Sequence, residues 1–97
     1  MAQTFVDIGS LITTSSDIQD GRPIVAGTGT SVRRIVALYK QGYSADDIVS
    51  DKSHLTLAQV HAALAYYYAN QQAIEQDLAN EAAEYERLSA QASSAVQ

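Results

Sequence analysis

The sequence predicts a mainly α-helical protein with a helix-turn-helix-like three-helix core, a short N-terminal β element and a long C-terminal helix. Three observations lead to this fold class. All five glycines and the single proline lie before Tyr43, so a turn-rich part precedes a part without helix breakers. Two helix-capping patterns follow in close succession. An apolar repeat with alternating steps of three and four residues then continues to Leu88.

Size and composition limit the classes of function. A chain of 97 residues supports one hydrophobic core, and so small a core makes a homodimer an expected source of further stability. The absence of cysteine excludes disulfides and thiolate chemistry and favours a reducing, cytoplasmic setting. No run approaches the roughly 20 apolar residues of a membrane-spanning helix, so no membrane partner is expected. The net charge of -5 is concentrated after Thr56, where five acidic residues face Arg87 alone.

Residues 11–30 are predicted to form a β-prone arm. Ser10–Thr14 and Pro23–Ala26 are short runs of strand formers, and the turn formers of Ser15–Gly21 separate them. Strands this short are marginal in water. We therefore expect them to pair with each other, with a second subunit or against the helices.

Residues 31–68 are predicted to contain three helices. The first begins after Ser31, whose side chain can cap free backbone N–H groups, and runs from Val32 to about Gln41. Gly42 ends it, because glycine accepts the left-handed conformation that closes many helices.

The second and third helices each begin with a capping box. Ser44 and Asp47 have this spacing before a helix over 45–51, and Thr56 and Gln59 have it before the third helix. Tyr43 with Ile48, and Leu55 with Val60, occupy hydrophobic staple positions. The predicted core consists of Ile35, Leu38, Ile48, Leu55, Val60 and Leu64.

Residues 69–88 are predicted to extend the third helix without a break, and residues 89–97 to form a disordered tail. The apolar stripe of this helix reaches beyond the three-helix unit, so from Gln71 onward it requires another helix or another chain to cover it. We expect Tyr67 to be a core residue and Tyr66 and Tyr68 to lie at an interface. The candidate partner or dimer interface comprises Tyr66, Tyr67, Gln71, Ile74, Leu78, Glu81, Tyr85 and Leu88.

The run Gly21-Arg-Pro-Ile-Val-Ala-Gly-Thr28, together with 32–35, Gly42-Tyr-Ser44, Leu55-Thr56 and 62–64, resembles domain-of-unknown-function family 433. The resemblance covers roughly residues 11–68. It implies a homeodomain-like helix-turn-helix fold, often dimeric. It also implies an antitoxin-like role in a toxin-antitoxin pair, beside a PIN-like ribonuclease toxin. Two departures stand out: Gly29 replaces the arginine usual after the Gly-Thr pair, and 52–54 replace a segment that commonly contains proline.

A basic cluster suggests contact with operator DNA. Arg22, Arg33, Arg34 and Lys40 can bind phosphates, although a solvated helix face is the alternative interpretation. The loop 27–31 can cradle an anion, but a simple strand-to-helix turn with a serine cap is favoured over a nucleotide site. The third helix offers Gln59 and His61 but no arginine or lysine in its first turns. The candidate DNA-binding residues are Arg22, Thr28, Ser31, Arg33, Arg34, Gln59 and His61.

No set of residues indicates catalysis or a bound cofactor. His54 and His61 match no metal motif, and no nucleophile motif or paired carboxylates are present. We expect no enzyme activity, no cofactor and no small-molecule substrate. The leading hypothesis is an antitoxin-like protein that dimerises, binds a PIN-like toxin through its C-terminal helix and contacts operator DNA. The alternative is a structural scaffold that forms a homo-oligomer without binding DNA.

Overall fold

The computed structural model describes residues 4–15 and 21–96, with side chains to Gln91. Within these residues the order of elements is a 3-10 turn (Ile8–Leu11), β1 (Ile12–Thr13), β2 (Ile24–Val25), α1 (Val32–Lys40), α2 (Ala45–Asp51), α3 (Leu57–Ala69) and α4 (Gln71–Val96). The predicted fold class, mainly helical with a short β element and a long C-terminal helix, is confirmed.

The β element is a small antiparallel pair in which Ile12 is opposite Val25 and Thr13 is opposite Ile24. It is shorter than the predicted strands, because the backbone turns at Gly27, which has a φ of 78°. Most of the predicted turn between the strands, residues 16–20, lies outside the described residues. The N–H of Val32 donates to the carbonyl of Pro23 at 3.0 Å, which attaches the β pair to the start of α1.

The predicted helix boundaries in the core follow from local hydrogen bonds. Ser31 caps α1 by accepting from the N–H of Arg34 at 3.0 Å. At the other end, the N–H of Gly42 donates to Tyr39 and the N–H of Tyr43 donates to Leu38, the two bonds of a Schellman motif. Gly42 has a φ of 104°, so the left-handed conformation predicted for it is present.

Both predicted capping boxes are formed. The hydroxyls of Ser44 and Thr56 accept from the N–H groups three residues later, and the side chains of Asp47 and Gln59 accept in return. Leu55 and Val60, one staple pair, are both buried in the core, whereas Tyr43 of the other pair is 45% exposed. The predicted staple of Tyr43 with Ile48 is therefore only partly buried.

The hydrophobic core lies between the β pair and the first three helices and includes the start of α4. Five of the six predicted core residues are buried, and Leu38 is partly buried beside them. Tyr67 was also predicted to be a core residue, whereas sequence patterning did not identify the remaining members. The additional buried side chains are Val25, Val32, Val36, Ala63, Tyr67 and Ile74.

The predicted continuous third helix is divided at Asn70. Asn70 has a φ of -132° and a ψ of 37°, outside the helical region, and its side-chain amide donates to the carbonyl of Tyr66 at 3.0 Å. A short polar side chain that bonds nearby backbone competes with helix continuation. After this break α4 packs against α1, and it buries Ile74 and part of Leu78 in the same core. The expectation that no core remained for the stripe after Gln71 was therefore wrong for these two residues.

Beyond its packed part, α4 extends away from the core. Its 26 residues span about 39 Å at 1.5 Å per residue, and the molecule measures 69 × 29 × 23 Å. The backbone remains helical through Val96, so the boundary predicted at Leu88 between helix and tail does not appear; Gln97 lies outside the described residues. In the outer part of α4, the side chains of residues 82–91 are all exposed.

Candidate interaction surfaces

A row of ion pairs joins the inner part of α4 to the basic residues of the core. Asp77 accepts from Nε of Arg22 at 2.7 Å and from Nη1 of Arg33 at 3.3 Å, and Arg33 also pairs with Glu81 at 2.9 Å. Burial would raise the pKa of Asp77, but the hydrogen bond from Arg22 and the charge of Arg33 outweigh it and lower this pKa. We call these four residues the ionic seam.

A second group of polar contacts lies where α4 leaves α3. Glu75 pairs with Nζ of Lys40 at 2.5 Å and accepts a hydrogen bond from the hydroxyl of Tyr67. These two bonds lower the pKa of Glu75, and the same contacts raise the pKa of Lys40 and of the Tyr67 hydroxyl. Gln71 donates to the Tyr67 hydroxyl at 3.4 Å. The group joins the beginning of α4 to Lys40 of α1 and Tyr67 of α3.

Two of the three arginines predicted to contact DNA are therefore paired within the chain. Arg22 and Arg33 are directed at α4, whereas Arg34 is exposed. Among the described residues neither Arg34 nor Lys52 forms a salt bridge. Lys40, the remaining member of the predicted basic cluster, forms a salt bridge with Glu75.

The loop that was considered as an anion cradle uses its polar groups internally. Thr28 donates its hydroxyl to Val25 at 2.9 Å and accepts from the N–H of Thr30 at 3.0 Å. Ser31 is only 6% exposed, and its hydroxyl caps α1. The geometry is that of the favoured interpretation, a strand-to-helix turn with a serine cap. Thr30 also contacts Nε2 of His54 at 3.0 Å.

The exposed face of α3 contains little that reads DNA bases. Gln59 is half-buried and its side-chain oxygen caps the helix by accepting from Thr56 at 2.7 Å. His61 is exposed in a row with Leu57 and Tyr68, which are 44% and 56% exposed. This row has no positive side chain and is more typical of a protein contact than of a major-groove contact.

A basic cavity of about 280 Å³ adjoins the ionic seam. Arg33, Arg34 and Lys52 line it together with residues 29–31, and Glu81 of α4 forms part of its wall. Three cations therefore face one carboxylate in a recess at the junction of α1 and α4. Lys52 had not been predicted as a site residue, because it lies 18 positions after Arg34 and only the fold brings the two together.

The residues predicted for a partner interface separate into two groups. Tyr67 and Ile74 are buried, Tyr66 and Leu78 are partly buried, and Glu81 belongs to the ionic seam. Gln71 is exposed but bonds to Tyr67 within the chain. These residues pack in the same chain, whereas Tyr85 and Leu88 remain exposed.

The exposed part of α4 after Glu81 borders a second groove. Tyr85 is 73% exposed and Leu88 is 51% exposed, although both are large apolar side chains. A groove of about 490 Å³ between Arg34 and α4 is lined by Leu78, Tyr85, Glu86 and neighbouring residues. We call the segment 82–91 the outer face of α4.

An exposed apolar arm was not predicted as an interface. Phe5, Val6 and Ile8, which we call the apolar arm, are 89%, 71% and 66% exposed. Ile8 also lines an apolar groove of about 260 Å³, together with Ile12 and alanines of α3. The available signal was the pair of adjacent large apolar residues before the first glycine. Contiguous exposed apolar side chains mark interaction surfaces more often than isolated ones.

Within residues 4–15 and 21–96, no three His, Cys, Asp or Glu side chains are arranged to hold a metal ion. A membrane-spanning helix, with the length and apolar character that crossing requires, is also not found among the described residues.

Comparisons with known proteins place the core in a family. A solved crystal structure of a DUF433 member protein from Anabaena variabilis has the same fold, with a TM-score of 0.68 and 24% sequence identity, over 72% of this chain and 69% of that one. None of the curated proteins compared with the chain matches it. The family model described as "Protein of unknown function (DUF433)" matches residues 12–67, from β1 to the last turn of α3. The chain therefore belongs to the DUF433 family.

Proposed function

We propose that this chain is a non-catalytic, antitoxin-like protein that captures a PIN-like ribonuclease toxin with the outer face of α4. The observation that carries the proposal is the exposure of Tyr85 and Leu88 on a segment of α4, residues 82–91, whose side chains are all exposed. An amphipathic helix that places such residues in the groove of a partner is a common mode of recognition. The homodimer and the operator DNA contact belong to the same proposal.

The charge of the outer face favours a basic partner. Glu84 and Glu86 flank Tyr85, and Arg87 is paired with Glu84 within the helix. Self-association through this face would bring carboxylates of two copies together, which costs free energy. A ribonuclease has a positively charged groove for RNA, so its surface complements the outer face.

Contact with operator DNA is supported by the basic cavity rather than by α3. Arg34 and Lys52 lack salt-bridge partners among the described residues and flank the N-terminal part of α1. Such residues supply phosphate contacts, which position a protein on DNA without reading its sequence.

The alternative function, a homo-oligomeric scaffold, is favoured by the apolar arm. Phe5, Val6 and Ile8 expose contiguous apolar surface next to the groove on α3, and a second copy of the chain can cover both. This arrangement accounts for a dimer but assigns no role to the outer face of α4.

The experiment that tests the proposal is co-purification with a small PIN-like protein encoded beside this chain. The full-length Tyr85→Asp, Leu88→Asp variant should lose the partner by at least about tenfold in affinity, since buried apolar anchors carry most of the binding energy. The toxin's ribonuclease activity should be inhibited by the wild-type chain and not by the variant.

A matched control is Tyr43→Asp, which places a charge at an exposed tyrosine of the core unit rather than on α4. It should bind the partner like the wild-type chain. Two results would contradict the proposal: equal partner binding by the Tyr85→Asp, Leu88→Asp variant and by Tyr43→Asp, or a ribonuclease that the wild-type chain does not inhibit. Either result would favour the alternative function, a homo-oligomeric scaffold.

A further inference from the structure

We infer that the inner part of α4 competes with the phosphates of a DNA duplex for a basic surface formed by Arg22, Arg33, Arg34 and Lys52, which we call the basic face. The inference rests on the DNA contact in the proposed function and adds its regulation. Asp77 and Glu81 bind the guanidinium groups of Arg22 and Arg33, which lie beside the Arg34 and Lys52 of the proposed DNA contact and can bind phosphates in the same way.

The chemistry of the two ligands is similar. A carboxylate and a phosphate both accept two hydrogen bonds from the planar fork of an arginine. Asp77 receives both Nε and Nη2 of Arg22, at 2.7 Å and 3.2 Å, so it already makes this bidentate contact. A phosphate cannot occupy the same donors at the same time.

The carboxylates of α4 do not cover all of the basic face, so a phosphate can bind part of it while the ionic seam is still formed. The carboxylate of Glu81 is 51% exposed, and it forms one wall of the cavity that contains Arg34 and Lys52. A phosphate can therefore approach Arg34 and Lys52 first. Full engagement of Arg33 then requires Glu81 to leave it. Because α4 is tethered to the core, its carboxylates have a high effective concentration and reduce the affinity for DNA.

The outer face of α4 lies next to this competition. Tyr85 is one helical turn beyond Glu81, and both residues line the groove beside Arg34. A protein that binds Tyr85 and shifts this turn changes the position of Glu81 and thereby the charge presented to DNA. Binding of the protein partner and of DNA are then thermodynamically linked, and each changes the affinity for the other by the same factor.

The test compares full-length variants for binding to a fluorescent 30-base-pair DNA duplex of arbitrary sequence. Glu81→Gln removes one competing charge, and Asp77→Asn with Glu81→Gln removes both. We expect affinity to rise in that order. The slope of log affinity against log salt should become steeper by about one for each cation that is freed.

Asp46→Asn is the matched control, because it removes one negative charge from an exposed residue of α2 that forms no salt bridge with any described residue. It should change affinity much less than Glu81→Gln. Adding Arg34→Gln and Lys52→Gln to the double variant should return the affinity and the salt slope toward the wild-type values. A circular dichroism melt of every variant establishes that it is folded at the assay temperature.

Two results would overturn the inference. One is an equal gain from Glu81→Gln and Asp46→Asn, which would show an effect of net charge alone. The other is a folded double variant that does not bind the duplex at low salt, which would also remove DNA from the proposed function. Toxin binding through Tyr85 and Leu88 is measured separately, so its failure is distinguishable from both results.

Discussion

The two parts of α4 share one helix but have opposite surroundings. In the inner part, Ile74 is 5% exposed and Asp77 holds two arginines of the core. In the outer part, Tyr85 and Leu88 are mostly exposed and the only ion pair, among the described residues, joins Glu84 and Arg87 within the helix. The inner part is thus a structural element of the domain, whereas the side chains of residues 82–91 are exposed. This difference supports the proposal that a partner binds the outer part.

Among substitutions that test this difference between the two parts of α4, Ile74→Ala should have the largest effect on stability. Removing a buried isoleucine side chain should lower the free energy of unfolding by about 2–5 kcal/mol, through lost burial and the cavity left behind. Urea denaturation followed by circular dichroism measures it. Ile74→Val is the control and should cost about 0.5–1.5 kcal/mol. A loss below about 1 kcal/mol for Ile74→Ala would mean that the inner part is not docked in solution.

An intermediate effect is expected from acid. The pKa values of Glu75 and Asp77 are lowered in the folded chain, from ordinary values of 4.5 and 3.8. The stability that these carboxylates contribute is therefore present above those ordinary values and is lost as the pH falls through the lowered folded-state values. The melting temperature of the wild-type chain should fall over this range.

The Asp77→Asn variant sharpens the acid test. Its melting temperature should lie below that of the wild-type chain at neutral pH, because Arg22 and Arg33 lose their partner. The difference should close at the acid end, where Asp77 of the wild-type chain is itself protonated. Asp46→Asn, an exposed charge in the first turn of α2, is the control. A difference that stays constant with pH would argue against the ionic seam.

The core was largely predictable because its signals are local. Ser44 with Asp47, and Thr56 with Gln59, are three residues apart, so each capping box depends on little beyond its own turn. Gly42 ended α1 as predicted for the same reason. The positions of α1 and α2, the start of α3 and five of the six predicted core residues followed from such patterns.

The ionic seam was not predictable, because its members are distant in sequence. Arg22 and Asp77 are 55 residues apart, and they meet only because the chain breaks at Asn70. Glycine and proline were the breakers considered, whereas this break depends on an asparagine side chain and on the gain from docking Ile74. The basic cluster was correctly identified in the sequence, but its pairing with α4 depends on the tertiary fold.

The smallest effect on stability is expected from a substitution in the outer face of α4, which is the counterpart of Ile74→Ala in the inner part. Leu88→Ala should change the free energy of unfolding by no more than about 0.5 kcal/mol, because the side chain is 51% exposed and is not part of the hydrophobic core formed by the described residues. The measurement is the same urea denaturation used for Ile74→Ala. A loss above about 1 kcal/mol would show that Leu88 is covered in solution, and a dependence of that loss on protein concentration would identify the cover as a second copy. An unchanged stability is the expected result, and it leaves the exposed Leu88 side chain available for contact with a different protein.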